Sequence, residues 1–420
     1  MEKFVIEGEI PLEGKVKISG AKNAILPLMA ACLLAGKSCQ LRNVPYLTDI
    51  TIMSDILKNL GVKVKRDNGQ LNIDSSNIYE DKVPFELGSR IRASILTLGP
   101  LLARLGHARV SLPGGCKIGK RPIDLHLKGL KEMGTRIKVE DEYIEAFAPH
   151  GLKGKEIHLS FPSVGATENI ILAASLASGT TVIKNACCSP EILDLIKFLK
   201  SMGVRIKREG IDSIKIEGVK ETHSVEHSVI PDRIEAGTFI LAGIITRGKI
   251  TIEGVYPEHL RTPLTKLKKM GAKIDCKDKE IKVYGENNHL HSVKITTLPY
   301  PGFPTDLQPQ MTALSCFAQG VSIITETIFE NRFTCIPELQ KMGANIKVEG
   351  RRIKIKGVSS LKGASLTACN IQGGAALVLA GLAAQGITEV YNVSHVDRGY
   401  ESLEKKLSIL GAKIKRIKEE

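Results

Sequence analysis

The 420-residue sequence contains no tryptophan, and aromatic residues make up only 4% of it. The cores must therefore be built from isoleucine, leucine, valine and alanine, and the stacking residues of single-strand nucleic-acid binding are missing. Long apolar runs are missing too: the longest, Ala375 to Ala384, is too short for a bilayer, and the N-terminal MEKFVIEGEIPLEG has no signal-peptide core. We expect a cytoplasmic protein without a membrane partner.

The nine cysteines include no CxxC pair, so neither a metal site nor a disulfide framework is expected. Free cysteines most often behave as small buried apolar residues. Cys32, Cys316 and Cys369 lie in or beside apolar helical stretches, and we expect them to pack in the interior.

Acidic residues are the scarcer charge: 59 Lys and Arg face 45 Asp and Glu, a formal net charge of +14. Such a balance attracts anions, either nucleic acid or phosphorylated metabolites. The basic residues are spread along strand-like segments such as KVKIS and IKIKG without interleaved aromatics. This pattern favours small phosphorylated metabolites, and we expect no nucleic-acid partner.

One short phrase recurs six times, which indicates internal repeats. The copies are ILKNLGVKV (56–64), GLKEMGTRI (129–137), FLKSMGVRI (198–206), KLKKMGAKI (266–274), ELQKMGANI (338–346) and KLSILGAKI (406–414). Their glycines lie 68 to 73 residues apart. The third copy predicts the order helix, strand, helix, strand, strand, with Gly203 in the left-handed conformation that ends a helix.

The sixth copy ends at AKIKRIKEE without its last strand, while the N-terminal FVIEGEIPLEGKVKISG offers surplus strands. We infer that the start of the chain completes the sixth copy. The chain then divides into two domains of three copies, residues 21–229 and residues 1–20 plus 230–420. A cleft between two such domains could close on a ligand.

The segment LPGGCKIGKRPIDLH (112–126) places Cys116 after two glycines and before Lys117, Lys120 and Arg121. Nearby cations lower the pKa of a thiol and make it reactive. The alternative is an incidental loop thiol, but the glycines and the three cations favour a reactive one.

The chain resembles the enolpyruvyl transferase family over essentially its whole length. The resemblance rests on SGAKNA (19–24), RIRAS (90–94), GGCKIGKRPIDLH (114–126), PSVGATEN (162–169), PDRIEAGTF (231–239), FPTDLQPQ (303–310), ETIFENRF (326–333) and HVDRGYE (395–401). The cysteine loop and SGAKNA are typical of the branch whose acceptor is UDP-N-acetylglucosamine, rather than of the branch that acts on shikimate 3-phosphate.

The resemblance implies an α/β fold, a two-domain inside-out α/β barrel of six repeats with three in each domain. It also implies that the enolpyruvyl group of phosphoenolpyruvate is transferred to the 3-hydroxyl of UDP-N-acetylglucosamine, with release of phosphate, as the first committed step of peptidoglycan synthesis. The resemblance further implies that no metal or other cofactor takes part. The substrates would be the only partners implied, and the sequence indicates no oligomeric state.

Residue roles follow from the same resemblance. Cys116 would protonate phosphoenolpyruvate, and Asp306 would act as the base for the sugar hydroxyl. Phosphoenolpyruvate would be held by Lys22, Asn23, Arg121 and Arg398. The UDP-sugar would be bound by Arg92, Arg121, Pro122, Ile123, Asp124, Leu125, Ser163, Val164, Gly165, Asp306 and Ile328. From the residues alone, Asp306 could equally be the N-cap of the helix that follows it.

The sequence departs from the family at Asn370 and Gln372, where family members typically carry an aspartate and an arginine. We interpret this as an ion pair replaced by an amide pair, which keeps hydrogen bonding but neither accepts a proton nor clamps an anion. Two hypotheses stay open: a working transferase, or a non-catalytic paralogue that binds the UDP-sugar as a regulatory module.

Overall fold

A computed structural model of the chain describes residues 2–115, 118–285 and 289–418. The helices are α1 (Lys22–Ala31), α2 (Thr48–Asn59), α3 (Phe85–Gly88), α4 (Leu98–Leu105), α5 (Asp124–Glu132), α6 (Val164–Ala174), α7 (Pro190–Ser201), α8 (Arg233–Ile245), α9 (Arg261–Lys269), α10 (Gln308–Ser315), α11 (Ile336–Lys341), α12 (Ile371–Ala383), α13 (Ser394–Asp397) and α14 (Leu403–Ile409). Short 3-10 helices span Cys32–Leu34, Arg92–Thr97, Pro257–Leu260 and Thr305–Leu307.

The strands are short, and most have five residues. They are β1 (Glu2–Glu7), β2 (Glu13–Lys17), β3 (Ser38–Arg42), β4 (Lys63–Asp67), β5 (Gln70–Asp74), β6 (Lys82–Val83), β7 (His107–Ser111), β8 (Arg136–Val139), β9 (Tyr143–Phe147), β10 (Glu156–His158), β11 (Thr180–Lys184), β12 (Arg205–Glu209), β13 (Ser213–Glu217), β14 (Glu226–Ser228), β15 (Lys249–Glu253), β16 (Lys273–Lys277), β17 (Glu280–Tyr284), β18 (Lys294–Thr296), β19 (Val321–Thr325), β20 (Asn345–Glu349), β21 (Arg352–Lys356), β22 (Ser365–Thr367), β23 (Ile387–Tyr391) and β24 (Lys413–Lys418).

The described residues form six four-stranded sheets, one for each predicted repeat. Their strand orders are β14-β3-β5-β4, β6-β7-β9-β8, β10-β11-β13-β12, β16-β17-β15-β2, β18-β19-β21-β20 and β22-β23-β1-β24. The predicted unit of helix, strand, helix, strand, strand is confirmed. Each sheet also gains a parallel edge strand, such as β10 beside β11. The sequence analysis missed five of these six strands, all but β2, because they have two or three residues, too few to show a period.

The sixth sheet confirms that the start of the chain completes the last repeat. Strand β1 lies between β23 and β24 and pairs antiparallel with both, so that Phe4 lies opposite Val390 on one side and Arg416 on the other. The remaining N-terminal strand, β2, pairs parallel with β15 in the fourth repeat.

The recurring glycine ends the second helix of every repeat in the left-handed conformation. At Gly61, Gly134, Gly203, Gly271, Gly343 and Gly411 the angle φ lies between 92° and 102°. Side chains other than glycine are strained there, so the six-fold recurrence of glycine has a backbone cause.

The described residues group into two compact units. The first unit comprises residues 20–115 and 122–230, and the second comprises residues 2–19, 118–121, 231–285 and 289–418. The sequence analysis assigns the whole cysteine loop to residues 21–229, whereas the structure groups residues 118–121 with the second unit. Each unit has its own aliphatic core.

The first helix of a repeat lies deep in its unit. Every residue of α10 is buried, as are almost all residues of α8 and α12 in the second unit and of α1 and α6 in the first. Even their polar residues, such as Gln310 on α10, are buried, whereas the second helices, for example α7, keep exposed lysines. None of the helices that the described residues form has the length and apolarity to cross a membrane.

Candidate functional site

Several of the predicted site residues lie where the first helix of a repeat begins. Lys22 and Asn23 open α1, and Ser163 precedes α6. Arg92 and Asp306 lie in the 3-10 turns before α4 and α10, and Asn370 precedes α12. A helix start has unpaired N–H groups and the positive end of the helix dipole, so these positions suit anionic ligands.

In the first unit, Lys22 is paired with a carboxylate that the sequence analysis did not identify. Its Nζ lies 2.6 Å from Oδ2 of Asp49, in the first turn of α2, and the two side chains are only 14% and 5% exposed. The carboxylate holds the ammonium group at the start of α1, while the next residue, Asn23, is exposed.

Arg92 is joined to the segment predicted to hold the nucleotide. Its Nη2 donates to the carbonyl of Pro122 at 3.1 Å. Ile123 and Leu125 pack against the core of the first unit, and Asp124 is exposed at the first residue of α5. The structure therefore brings Arg92 and residues 122–125 together.

The start of α6 is close to α5. Ser163 caps the helix, because its Oγ accepts from the N–H of Ala166 at 3.3 Å, and Val164 is 41% exposed. A Cβ added at Gly165 would lie 3.1 Å from the ring of His126, so a larger side chain would press on the imidazole. Residues 163–165 and α5 thus form one surface of the first unit.

His126 is a buried imidazole that the sequence analysis did not single out. Burial, with a smaller effect of the Arg92 charge, lowers its pKa from 6.5 to about 3. Its Nδ1 lies 3.2 Å from Nδ2 of Asn169, which also donates to the carbonyl of Ile95. Because an amide nitrogen donates, Nδ1 is the acceptor and the ring proton is on Nε2.

In the second unit, Asp306 does not cap a helix, so the N-cap alternative is wrong. It lies inside the turn Thr305–Leu307, whose N-cap is Pro304, and helix α10 has no side-chain cap. Its Oδ1 accepts from Nη2 of Arg332 at 2.6 Å. The Asp306 side chain is 32% exposed, whereas the Arg332 side chain is only 3% exposed. A buried guanidinium therefore orients a carboxylate that solvent can reach.

Arg121 approaches the same neighbourhood of the second unit. Its guanidinium carbon lies 5.7 Å from the ring centre of Phe329, and that of Arg332 lies 5.8 Å from it. The carbonyl of Ile118 accepts from the N–H of Asn331 at 3.0 Å. Arg121 has a φ of 45°, the left-handed conformation that is uncommon without glycine.

Ile328 is positioned through its neighbour Glu326. The N–H of Ile328 donates to Oε1 of Glu326 at 2.8 Å. Ile328 itself is half-buried. The resemblance assigns its backbone to the sugar, and that role stays a prediction.

Arg398 lies in another part of the second unit, at the C-terminal end of α13. Burial and the Arg398 charge lower the pKa of the nearby His395. A neutral imidazole beside this arginine adds no second positive charge. The contact of Arg398 with phosphoenolpyruvate stays a prediction.

Asn370 and Gln372 bind different partners rather than acting as one amide pair. Asn370 caps α12 by accepting from the N–H of Gly373 at 2.8 Å, and it donates to Thr334 at 2.8 Å. Gln372 Oε1 accepts from Gln310 at 2.7 Å and from the hydroxyl of Tyr400 at 2.6 Å. Both side chains therefore have defined hydrogen-bonding roles.

Three further side chains escaped the sequence analysis. Asp232 caps α8 by accepting from the N–H groups of Ile234 and Glu235 at 2.8 and 3.1 Å. An aspartate before a long apolar run signals such a cap. Asp49 and Glu326 gave no signal of their own, because Lys22 and the Thr297 and Thr305 hydroxyls that reach them lie 21 to 29 residues away in the chain.

Cys116 and Lys117 lie outside the described residues. Three different cysteines were predicted to be buried. The prediction is confirmed for Cys32 and Cys316, and it is wrong for Cys369, which is exposed just before the start of α12. Within the described ranges, no group of three or more His, Cys, Asp or Glu side chains could hold a metal ion.

Comparison with solved structures and with a family model shows the protein family to which the chain belongs. The fold is that of an enolpyruvyl transferase NikO from Streptomyces tendae, with a TM-score of 0.91 and 25% identity over 100% of this chain and 99% of that one. An EPSP synthase from Acinetobacter baumannii, with a TM-score of 0.77 and 18% identity over both full chains, shares the fold. The family model of EPSP synthase (3-phosphoshikimate 1-carboxyvinyltransferase) matches residues 6–407. The chain belongs to this family of enolpyruvyl transferases.

Curated relatives then give the branch that the chain is most similar to. Two proteins named UDP-N-acetylglucosamine 1-carboxyvinyltransferase, from Carboxydothermus hydrogenoformans and Caldanaerobacter subterraneus, are 52% and 53% identical to it. Both matches cover 99% of this chain, and they cover 100% and 99% of the relatives. A Staphylococcus aureus protein of the same name is 50% identical over 99% of this chain. The resemblance inferred from the motifs is confirmed.

Proposed function

We propose that the protein transfers the enolpyruvyl group of phosphoenolpyruvate to the 3-hydroxyl of UDP-N-acetylglucosamine and releases phosphate, the first committed step of peptidoglycan synthesis. The observation that carries the proposal is the match at 50–53% identity over 99% of the chain to proteins named for this reaction. The inside-out α/β fold of the enolpyruvyl transferases agrees with it.

We propose that the first unit binds the nucleotide sugar. Arg92 would meet the diphosphate, and it already contacts residues 122–125, which would surround the uridine. Residues 163–165, with the backbone N–H groups at the start of α6, would also face the diphosphate. Lys22 and Asn23 would bind phosphoenolpyruvate through a cation and an amide. Arg121 and Arg398, in the second unit, would bind it through their guanidinium groups.

Asp306 and Cys116 would carry the chemistry. The 3-hydroxyl oxygen forms a bond to C2 of phosphoenolpyruvate, its proton passes to the Asp306 carboxylate, and C3 takes a proton from Cys116. In the resulting tetrahedral adduct the C2–O bond to phosphate then breaks as C3 returns a proton to the Cys116 thiolate, which gives the enolpyruvyl ether, and Asp306 passes its proton to the released phosphate. Arg332 supports the role of Asp306, because its hydrogen bond to Oδ1 orients the carboxylate and leaves Oδ2 to accept the proton.

Nothing in the described residues or in the relatives favours the non-catalytic alternative. The relatives are named as transferases, and Asn370 and Gln372 each have hydrogen-bond partners that keep the start of α12 ordered.

The proposal is tested by measuring phosphate release from purified protein with both substrates. We expect release only when phosphoenolpyruvate and UDP-N-acetylglucosamine are both present, and none when shikimate 3-phosphate replaces the nucleotide sugar. Binding of UDP-N-acetylglucosamine without any phosphate release would contradict it and support the regulatory module instead.

The role of Cys116 is tested by labelling with fosfomycin, the epoxide that alkylates this cysteine in the family. We expect one adduct in the parent protein and none in Cys116→Ala, by mass spectrometry of the intact chain. Cys276→Ala is the matched control, because Cys276 is exposed on β16 and should not be the labelled thiol. Full labelling of Cys116→Ala would contradict the assignment.

A further inference from the structure

We propose that Glu326 is a positioning residue for the transfer reaction: its buried carboxylate holds the turn that carries Asp306 and the loop that carries Ile328 and Phe329. The inference rests on the proposed function, because it assigns Asp306 its place in that reaction. Glu326 directly follows β19 and is 1% exposed.

Four donors from three separate segments meet this carboxylate. Oε1 accepts from the hydroxyl of Thr297 at 2.8 Å and from the N–H groups of Ile328 and Phe329 at 2.8 and 3.2 Å. Oε2 accepts from the hydroxyl of Thr305 at 2.9 Å. A carboxylate has lone pairs for all four bonds, so one side chain joins the end of β18, the Thr305 turn and the loop after β19.

The direction of these hydrogen bonds is determined by their neighbours. Thr297 Oγ1 already accepts from the N–H of Thr327 at 2.9 Å, so its own proton points to Glu326. The N–H groups of Ile328 and Phe329 can only donate. Three donors therefore converge on Oε1, and any replacement for Glu326 must place an acceptor oxygen at that point.

Thr305 is held from two sides, and Asp306 is its next residue. Glu326 binds the Thr305 hydroxyl, while Nε and Nη2 of Arg332 both donate to the Thr305 carbonyl at 3.2 Å. Arg332 also donates to Asp306. Without Glu326, the Thr305 hydroxyl would lose this partner, while the hydrogen bonds from Arg332 to the turn would remain.

The same carboxylate determines where Phe329 lies. The Phe329 ring is the neighbour of both Arg121 and Arg332, and Glu326 accepts from its N–H. Displacing the loop would therefore change the surroundings of Arg121, a predicted ligand of both substrates, together with those of Asp306.

The alternative is that Glu326 only stabilises the fold. A buried acceptor with four donors contributes to stability wherever it lies. The two roles differ in what they predict for Thr305: a positioning role requires the bond to Thr305 in particular, because that bond reaches Asp306, whereas a stabilising role does not.

The test compares Thr305→Val with Thr246→Val. Both remove a buried or half-buried hydroxyl from the second unit, but Thr246 bonds to the carbonyl of Ala242 and the N–H of Leu12 instead. We expect Thr305→Val to lower kcat about tenfold, with the KM of either substrate changed less than about twofold, because a displaced base acts on the chemical step. Thr246→Val should lower the Tm by a similar amount and keep kcat within about twofold. Equal kcat for the two variants would overturn the proposal.

A second test replaces Glu326 itself and asks whether glutamine, unlike alanine, keeps most of the turnover. In Glu326→Gln the amide oxygen can replace Oε1, and Thr305 can rotate its hydroxyl to accept from the new NH2 group. We therefore expect kcat within about fivefold of the parent, and a loss of about a hundredfold in Glu326→Ala. A glutamine variant as impaired as the alanine variant would contradict this geometry.

Amide hydrogen exchange separates failure of this inference from failure of the proposed function. In the parent protein the Ile328 and Phe329 amides should be protected, and in Glu326→Ala they should exchange at least about a hundredfold faster, with no such change in Thr246→Val. A parent protein that releases no phosphate would refute the function, and the exchange rates would still show whether Glu326 holds the loop. Unchanged exchange in Glu326→Ala would refute the inference itself.

Discussion

The first-helix starts of the two units differ in their side chains: those of the first unit include two cations, whereas each of those of the second unit has an oxygen acceptor, Asp232, Asp306 or Asn370. Lys22 and Arg92 are the cations of the first unit. Asp232 and Asn370 in the second unit cap their own helices, and Asp306 bonds to Arg332. The two units share one repeat, so the repeat determines where a side chain lies and the residue at that place determines its chemistry.

The central helices of the two units are also joined differently. In the first unit, Asn169 on α6 accepts from the N–H of Gly99 on α4 at 2.8 Å, where a Cβ added at Gly99 would lie 2.5 Å from Asn169. In the second unit, Thr238, Gln310 and Gln372 connect α8, α10 and α12 through the hydroxyl of Tyr400. The first unit thus joins these helices by a bond from a backbone N–H to a side chain, whereas the second unit joins them by bonds between side chains.

The substitution with the largest expected effect tests whether Asp306, in the second unit, is the base of the transfer reaction. Asp306→Asn should lower kcat by about 10²- to 10⁴-fold, because an amide cannot take the hydroxyl proton. Its oxygen can still accept from Arg332, so the fold should persist. Phosphate release and thermal unfolding provide the measurements, with Asp55→Asn, from an exposed pair with Lys58, as the control. More than a tenth of the parent turnover would refute Asp306 as the base.

The second prediction tests whether the Lys22 cation of the first unit is structural, functional or both. Lys22→Met leaves the buried Asp49 without its ammonium partner and should lower the free energy of unfolding by about 3 kcal/mol. Adding Asp49→Asn should restore most of that loss. The KM for phosphoenolpyruvate should stay raised in both variants, because neither has the cation. A double variant as unstable as the single one would show that the ion pair is not what stabilises the start of α1.

The third prediction concerns the neutral imidazole of the first unit. The unfolded chain binds a proton at His126 below pH 6.5, and the folded chain binds one only near pH 3. The contribution of His126 to stability is therefore fully present above pH 6.5 and is lost as the pH falls towards 3.

We expect the free energy of unfolding of the parent protein, relative to His126→Gln, to fall by about 1.4 kcal/mol per pH unit between pH 6 and 4. Denaturant titration at several pH values measures it, with His158→Gln, an exposed histidine, as the control. A difference that does not change with pH would show that His126 titrates normally in the folded state.

The smallest effect concerns the amides at α12. Asn370→Asp should leave stability almost unchanged, because aspartate caps the N–H of Gly373 equally well. Gln372→Arg removes the acceptor of Gln310 and Tyr400, so we expect a loss of about 1–2 kcal/mol.

The double substitution Asn370→Asp with Gln372→Arg should nonetheless raise turnover by about threefold, because it restores a proton acceptor and a cation. Phosphate release at saturating substrate measures the change. Unchanged turnover would refute the hypothesis that the amides slow the reaction.

Much of the fold could be read from the sequence because the repeat has strong local causes. The glycine after each second helix needs a positive φ, and the helices show a clear apolar period, so six units and the completion of the last by the N-terminus could be predicted. The short edge strands could not, because two or three residues carry no period. The N-cap alternative for Asp306 was equally reasonable locally, and it is wrong because Arg332, 26 residues away, is its partner.

The sequence alone determined the repeat, the family and the positions of the candidate site residues, since each depends on short motifs or on local backbone preference. Only the tertiary structure decided the distant partners: Asp49 for Lys22, Arg332 for Asp306, and the Thr297 and Thr305 hydroxyls for Glu326. A hydrogen bond between buried groups forms wherever folding brings donor and acceptor together, and no local pattern records which distant segment that will be.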